Sequence, residues 1–310
     1  MYLNPIVKKD IKVQSRSMKI CWGVFAYELI LALVFFLAMS VIQSSSRYSA
    51  SNIYSAIVWL YPTLAVTQLI ILGMVVPIRT ASSISGEKER QTFDIMMTTS
   101  MSPFSVVMGK VMTAVVQSMF FVVASMPVMA LPFIIGGMSW AYLFWFLAIA
   151  LLVAFFSASI GILCSSLCRK SIGAVIMSYV FYLLFFLGTA IPPVVYGVVR
   201  ENMRYNLPSV PRAYDMYGPN AFLSLLLNPA VYLTEYFVRI MADDSVVDSL
   251  AGNMTGITSG ITSPRGPIVL ASSGNRWMIL STILFIGVSL LFLWIASKRI
   301  NPIKGRRKKR

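Results

Sequence analysis

No histidine occurs anywhere in the 310 residues. That absence removes Ser-His-Asp and Cys-His nucleophilic catalysis together with histidine-ligated zinc. Cysteine is almost as scarce, represented by Cys21, Cys164 and Cys168 alone. An odd, sparse set builds no disulfide framework. Cys164 and Cys168 share a helix face at a spacing of four. With no histidine and no further cysteine pair, they read as small apolar residues near a reducing compartment rather than half a metal site. No G-x-x-x-x-G-K-[ST] run is present; Gly109-Lys110 is followed by Val111 and lacks the upstream glycine. The chain therefore has no P-loop with which to bind ATP. The first 21 residues lack the apolar stretch and small-residue cleavage site of a signal peptide. No internal repeat and no soluble domain can be read. An enzyme is not expected, and neither a catalytic residue, a metal site nor a cofactor site is expected in this chain.

Charge is also scarce, at 12% of residues, whereas 57% are hydrophobic. An ordinary soluble domain is roughly 25% charged and 45–50% apolar. A water-facing surface needs more charge than this, and uncharged apolar runs of about 20 residues match the hydrocarbon layer of a bilayer. The expected fold is thus an all-α membrane protein, a six-helix transmembrane bundle. Its spans are read as Trp22–Gln43, Ile57–Ile78, Val106–Ile135, Trp140–Leu167, Ile172–Val199 and Trp277–Ala296. Several exceed the minimum length, so tilt or interfacial extension is expected. Trp22, Trp59, Trp140 and Trp277 stand near span ends, where amphipathic rings settle.

The formal net charge of +15 is unevenly distributed. Lys8, Lys9, Lys12, Arg16 and Lys19 precede the first span, and Arg79, Lys88, Arg90 and Lys110 flank the second connection. Arg169-Lys170 form the fourth connection, and the tail from Lys298 ends in R-R-K-K-R. The other short connections hold only Arg47. Alternating basic connections are topology signals, placing both termini in the cytoplasm. A nucleic-acid footprint would be a basic face on a folded domain, so nucleic acid is not an expected partner. The tail reads as an anchor that touches anionic membrane lipid. Residues 1–21 read as a basic amphipathic helix lying in the interface: Asn4-Pro5 open it, and Ile6, Val7, Ile11 and Met18 recur at roughly helical spacing.

Residues 22–199 hold the first five spans, 200–276 form an outer loop, 277–296 the sixth span and 297–310 the basic tail. Within the outer loop, Ala221–Met241 is apolar but broken by Asn228-Pro229 and carries Glu235 and Arg239. A seventh crossing would reverse the basic C terminus, so this stretch is read as a re-entrant or surface-lying helical segment. Residues 245–276 are rich in Ser, Gly and Thr, and a loosely ordered segment is expected there.

The most informative stretch lies in the second connection, residues 79–105, and continues to Lys110. From Ser85 it reads S-G-E-K-E-R-Q-T-F-D-I-M-M-T-T-S-M-S-P-F-S-V-V-M-G-K. Phe93, Ile95, Met96 and Met97 make an apolar patch, with Glu87, Glu89 and Asp94 toward its N-terminal end, where a helix dipole favours acids. Thr98, Thr99 and Ser100 lead to Pro103, which closes one helix or opens the next. Periodicity alone leaves two readings, a helix lying on lipid and a helix docking on a partner.

This segment resembles the coupling region of ABC-2 type transporter permeases. Their pattern runs roughly E-K-E-R-x-T-[LF]-[DE]-x-[LM]-[LM]-x-[TS]-x-[LM]-S-P, with G-K at the start of the third span. Glu87, Lys88, Glu89, Arg90, Thr92, Phe93, Asp94, Met96, Met97, Thr99, Met101, Ser102, Pro103, Gly109 and Lys110 fit it. Gln91 stands where the family often has glycine, and Phe93 where it often has leucine. The opening N-P-I-V-K-K-D-I-K and the outer L-L-N-P at Leu226–Pro229 are weaker likenesses.

The resemblance implies a cytoplasmic coupling helix seated in a groove of a separate ATPase. Two permease chains, the same or different, would form the path above an ATPase dimer, and ATP and magnesium would sit on that partner. It further implies export across a bacterial inner membrane. Glu87, Lys88, Glu89, Arg90, Thr92, Asp94 and Thr99 would lie in the coupling region, with Glu87, Glu89 and Arg90 making polar contacts. Phe93, Met96 and Met97 would form the apolar seat. Two other classes stay open on the residues alone: an ion-coupled secondary transporter and a non-transporting membrane sensor or assembly protein.

Glu28 is the one acid inside a span, about 9 Å along the first helix from Trp22. Such acids are costly and face a partner or a cavity. It lines a pathway or subunit interface, or else it snorkels or bonds a neighbouring Ser or Tyr; Gln68 and Gln117 pose the same question more weakly. Pro127, Pro132 and Pro192-Pro193 are expected to bend or end their helices near the outer face. The methionines read as flexible packing.

Overall fold

The computed structural model describes residues 18–45, 60–93, 102–136, 140–206, 224–229, 232 and 275–300. The N-terminal interfacial helix, Asp94, Met96, Met97, Thr99, the basic tail and most of the outer loop lie outside these residues. The described helices are α1 (Met18–Ser45), α2 (Leu60–Glu89), α3 (Pro103–Ala124), α4 (Met126–Gly136), α5 (Ala141–Leu167), α6 (Ser171–Asn206) and α7 (Asn275–Ile300). No strand occurs among the described residues. Among the described residues, six stretches are long and apolar enough to cross a membrane: in α1, α2, α3, α5, α6 and α7. The protein is a multi-pass helical membrane protein.

The chain divides into two compact units, one of residues 1–180 with 287–310 and one of residues 181–286. In the first, α2, α3 and α5 pack against one another, and α1 lies against α2 and α3. Burial along α1 explains its position. Only Tyr27, Leu31 and Phe35 are buried, at a spacing of four, while Trp22, Phe25, Leu29, Leu33 and Phe36 stay exposed. A helix apolar all round buries one stripe on protein and leaves the rest to lipid. Tyr27 and Leu31 form a cluster with Phe121 of α3, the two rings edge-to-face at 5.5 Å.

The helix α5 is the most enclosed. Ala150, Ala154, Ala158, Ser157, Gly161 and Ser165 are buried along it. Small residues at spacings of four let membrane helices approach backbone to backbone. At Gly161 the approach is closest. An added Cβ would overlap the Thr80 hydroxyl of α2 and stand 2.9 Å from Thr80 Cβ and 3.2 Å from the Ala81 nitrogen. One turn on, Ser165 Oγ accepts from the backbone N–H groups of Ile84 (3.0 Å) and Ser85 (2.9 Å).

Two helix boundaries differ from the sequence reading. The second span was expected to end at Ile78, yet α2 runs unbroken to Glu89. Its polar second half packs on α5, with Thr80, Ala81, Ile84 and Ser85 buried, while Thr80, Ser82, Ser83 and Ser85 satisfy their hydroxyls on carbonyls three or four residues earlier. The third span is divided at Ser125 into α3 and α4. Pro127 has no N–H to continue the ladder, and the break is held by the buried Gln68 of α2, whose Nε2 donates to Ser125 Oγ at 2.7 Å. Pro192-Pro193, in contrast, lie within α6 and do not end it.

In the second unit, the L-L-N-P element is tied to the flanking spans. Ser224–Leu227 form a 3-10 turn. The Leu226 carbonyl accepts from Ser281 Oγ of α7 at 2.6 Å, and Asn228 Nδ2 donates to the Phe186 carbonyl of α6 at 3.3 Å. Tyr232 hydrogen-bonds Thr282 at 3.0 Å and stacks edge-on against Phe285. Leu226, Asn228 and Tyr232 are buried, so this part of the segment packs against α6 and α7.

Candidate functional site at the end of the second helix

The last turn of α2 carries Glu87, Lys88 and Glu89, and each side chain reaches a different helix. Lys110 of α3 is nearly buried, and its Nζ donates to Glu87 Oε1 at 2.8 Å and to the Ser83 carbonyl at 3.2 Å. The two ends of the sequence motif, E-K-E-R and G-K, are thereby joined in space. A cation at this depth needs a counter-charge, and Glu87 supplies it.

Lys88 turns the other way, onto the C-terminal end of α5. Its Nζ donates to the carbonyls of Ser166 (2.5 Å), Cys168 (3.4 Å) and Ser165 (3.5 Å). The last carbonyls of a helix have no intrahelical partner and carry the negative end of its dipole, so an ammonium there is well placed. Glu89 mirrors this at the start of α6, where its Oε2 accepts from Ser171 N–H at 3.1 Å and Ser171 Oγ at 2.6 Å. A carboxylate suits the positive end of a helix dipole. Three consecutive residues thus tie α2 to α3, α5 and α6. Lys88, Arg90, Lys110, Arg169 and Lys170 gather at this one end of the unit.

Immediately beyond, the chain turns off sharply. Gln91 has a φ of 58°, in the left-handed region. Its N–H bonds the Lys88 carbonyl at 3.2 Å, and the N–H of Thr92 bonds the Glu87 carbonyl at 3.0 Å. That pair of bonds around a left-handed residue is a Schellman motif, whose C′ position glycine fits best. The glycine common in the family at Gln91 now has a physical reason. Arg90, Gln91 and Thr92 are exposed, while Phe93 is half-buried with the Lys88 ammonium 5.9 Å from its ring centre. After residue 101, Ser102 caps α3 by accepting from Ser105 N–H at 3.3 Å, with Pro103 in the first turn.

The structure therefore brings Glu87, Lys88, Glu89 and Phe93 together with Lys110 and Ser171. Ser171 was not foreseen, although serine opening a helix just after a basic pair was visible in the sequence. Glu28 lies elsewhere, on α1; it is half-buried, and its Oε1 has no hydrogen-bond partner among the described residues. The neighbouring Tyr27 hydroxyl is likewise without one. Cys164 is buried and Cys168 lies 3.5 Å from the Met177 sulfur. No group of metal-ligating residues forms among the described residues.

Spanning helices, a third span broken at Ser125 and an interlocked motif at one end define a multi-pass helical membrane protein. The family model described as ABC-2 type transporter matches residues 4–208, and the chain belongs to that family. No curated protein matches it.

Proposed function

We propose that this chain is a permease subunit that converts the motion of a separate ATPase into export. The observation that carries the reading is the triple tie of Glu87, Lys88 and Glu89 to α3, α5 and α6. A force on the segment that follows would be passed to three helices at once rather than absorbed by one flexible loop. In this reading, Glu87, Lys88 and Glu89 position the segment, while Arg90, Thr92 and Phe93, continuing through Asp94, Met96, Met97 and Thr99, meet the partner. The basic end faces the cytoplasm with both termini. ATP and magnesium bind to an ATPase dimer, and a second permease chain, identical or different, completes the path. Helices that are packed this closely shift as units, which is how small displacements become two-state transitions.

The test is affinity purification of the tagged chain from its native membrane, followed by identification of its companions and an ATPase assay. A P-loop ATPase in stoichiometric amount, lost in the Phe93→Asp, Met97→Asp double variant while the variant stays monodisperse, is the expected result. Recovery of the chain alone, with no ATP hydrolysis after gentle solubilisation, would refute the reading.

A further inference from the structure

Between α1, α2 and α3 lies an apolar cavity of about 250 Å³, lined by Tyr27, Ile30, Ile71, Val75 and Phe121 among others. A smaller polar cavity of about 60 Å³ sits beside it between α2 and α3, lined by Thr80, Ser83, Lys110, Thr113 and Gln117. Arg79 and Ala114 line both. Arg79 is half-buried, its guanidinium carbon 5.2 Å from the centre of the Phe121 ring. Lys110 is neutralised by Glu87, but no carboxylate among the described residues lies within ion-pair distance of Arg79. A half-buried cation without a counter-anion is costly.

A second observation points the same way. Gln117 is 8% exposed, and its Nε2 is a buried donor with no acceptor among the described residues. Buried donors of this kind are rare in folded proteins and ask for a partner. The polar cavity thus offers an uncompensated guanidinium and an unused amide donor, and it shares Arg79 and Ala114 with the apolar cavity beside it. Both volumes together fall near the lower end of ligand cavities, roughly 300–1,000 Å³, which suits one hydrocarbon chain rather than two.

We propose that the two adjoining cavities bind a single-chain anionic amphiphile, its acidic headgroup held by Arg79 and Gln117 and its chain lying between Tyr27 and Phe121. Arg79 supplies charge-assisted hydrogen bonds to a carboxylate or phosphate, and Gln117 adds a neutral one. Binding at this site needs no ATPase, so it stands independently of the coupling proposal.

The experiment uses the full chain in phosphatidylcholine nanodiscs with a palmitate analogue bearing a mid-chain diazirine. After irradiation, labelled peptides are mapped by mass spectrometry. Saturable labelling of α1, α2 and α3 around Ile30, Ile71 and Val75 is expected, displaced by palmitate or by dodecyl phosphate; which of the two displaces better identifies the headgroup. Hexadecanol and hexadecyltrimethylammonium should not compete. Arg79→Gln should reduce the saturable labelling at least tenfold, Arg79→Lys should retain most of it, and Gly23→Leu, which fills the apolar cavity, should reduce it with Arg79 intact. Labelling spread evenly over the outer helix faces would overturn the proposal, as would equal competition by hexadecanol. Arg79→Gln melting the protein while palmitate leaves the wild-type melting temperature unchanged would also overturn it, by showing that Arg79 answers to this chain's own structure.

Discussion

Gly161→Ala adds a single methyl group, and the crossing of α2 and α5 determines its sign. In an isolated helix the change is stabilising by about 1 kcal/mol, because glycine is a poor helix former. Here the new Cβ would overlap Thr80 Oγ1 and stand 2.9 Å from Thr80 Cβ, whereas carbon atoms rest at about 3.5–4.0 Å. Thr80 cannot simply swing aside: its Oγ1 is bonded to the Val76 carbonyl at 2.9 Å, and a β-branched side chain in a helix has few rotamers. The helices must separate by several tenths of an ångström along a stretch where Ser165 also bridges them. Overpacking of this kind costs about 1–3 kcal/mol, so a net loss of up to about 2 kcal/mol is expected after the propensity gain. The assay is the thermal unfolding midpoint of the detergent-purified chain at a fixed scan rate, since membrane proteins commonly unfold irreversibly. Made in a Thr80→Gly background, the same Gly161→Ala change should be neutral or stabilising, because the overlapping atoms are gone. Additive effects in the double variant, or a higher midpoint for Gly161→Ala alone, would refute the close crossing.

Gln91→Gly should stabilise the chain by about 1 kcal/mol, since it relieves a left-handed residue without touching its neighbours; a raised midpoint and slower amide exchange at Thr92 would show it. Glu87→Ala should cost about 2 kcal/mol by leaving Lys110 with no counter-charge among the described residues. The exchanged pair Glu87→Lys with Lys110→Glu should recover only part of that loss, because the Ser83 carbonyl also needs its donor. In the second unit, Ser281→Ala removes the 2.6 Å bond to the Leu226 carbonyl and should cost about 1–2 kcal/mol, read from the same midpoint.

Much of the plan was legible in the residues. Span number followed from apolar length, and the span ends at Leu167 and near Trp140 coincide with those of α5. Other features were not legible, for identifiable reasons. That the second helix continues past Ile78 to Glu89 was not legible, because the polar run Ser82, Ser83 and Ser85 has no apolar periodicity and is held helical by packing on α5. Pro127 and Pro192-Pro193 look alike as helix breakers, yet only the first accompanies a break, where Gln68 is present to hold the freed turn. The small residues Ser157, Gly161 and Ser165 at spacings of four did signal a close helix crossing, and that signal was overlooked.

By its composition alone the chain was committed to the membrane, because 57% hydrophobic residues cannot be hidden from water in one soluble core. By its motif it was drawn toward the ABC-2 family, whose model matches residues 4–208. What the motif residues touch was decided only in three dimensions. Glu87, Lys88 and Glu89 are neighbours in sequence, but a helix points successive side chains about 100° apart, so each meets a different helix. Which helices stand there follows from how α2 packs on α3 and α5, with its backbone close to α5 at Gly161. That distance is a property of the packed bundle, set by atoms far apart in sequence, and no local pattern could have supplied it.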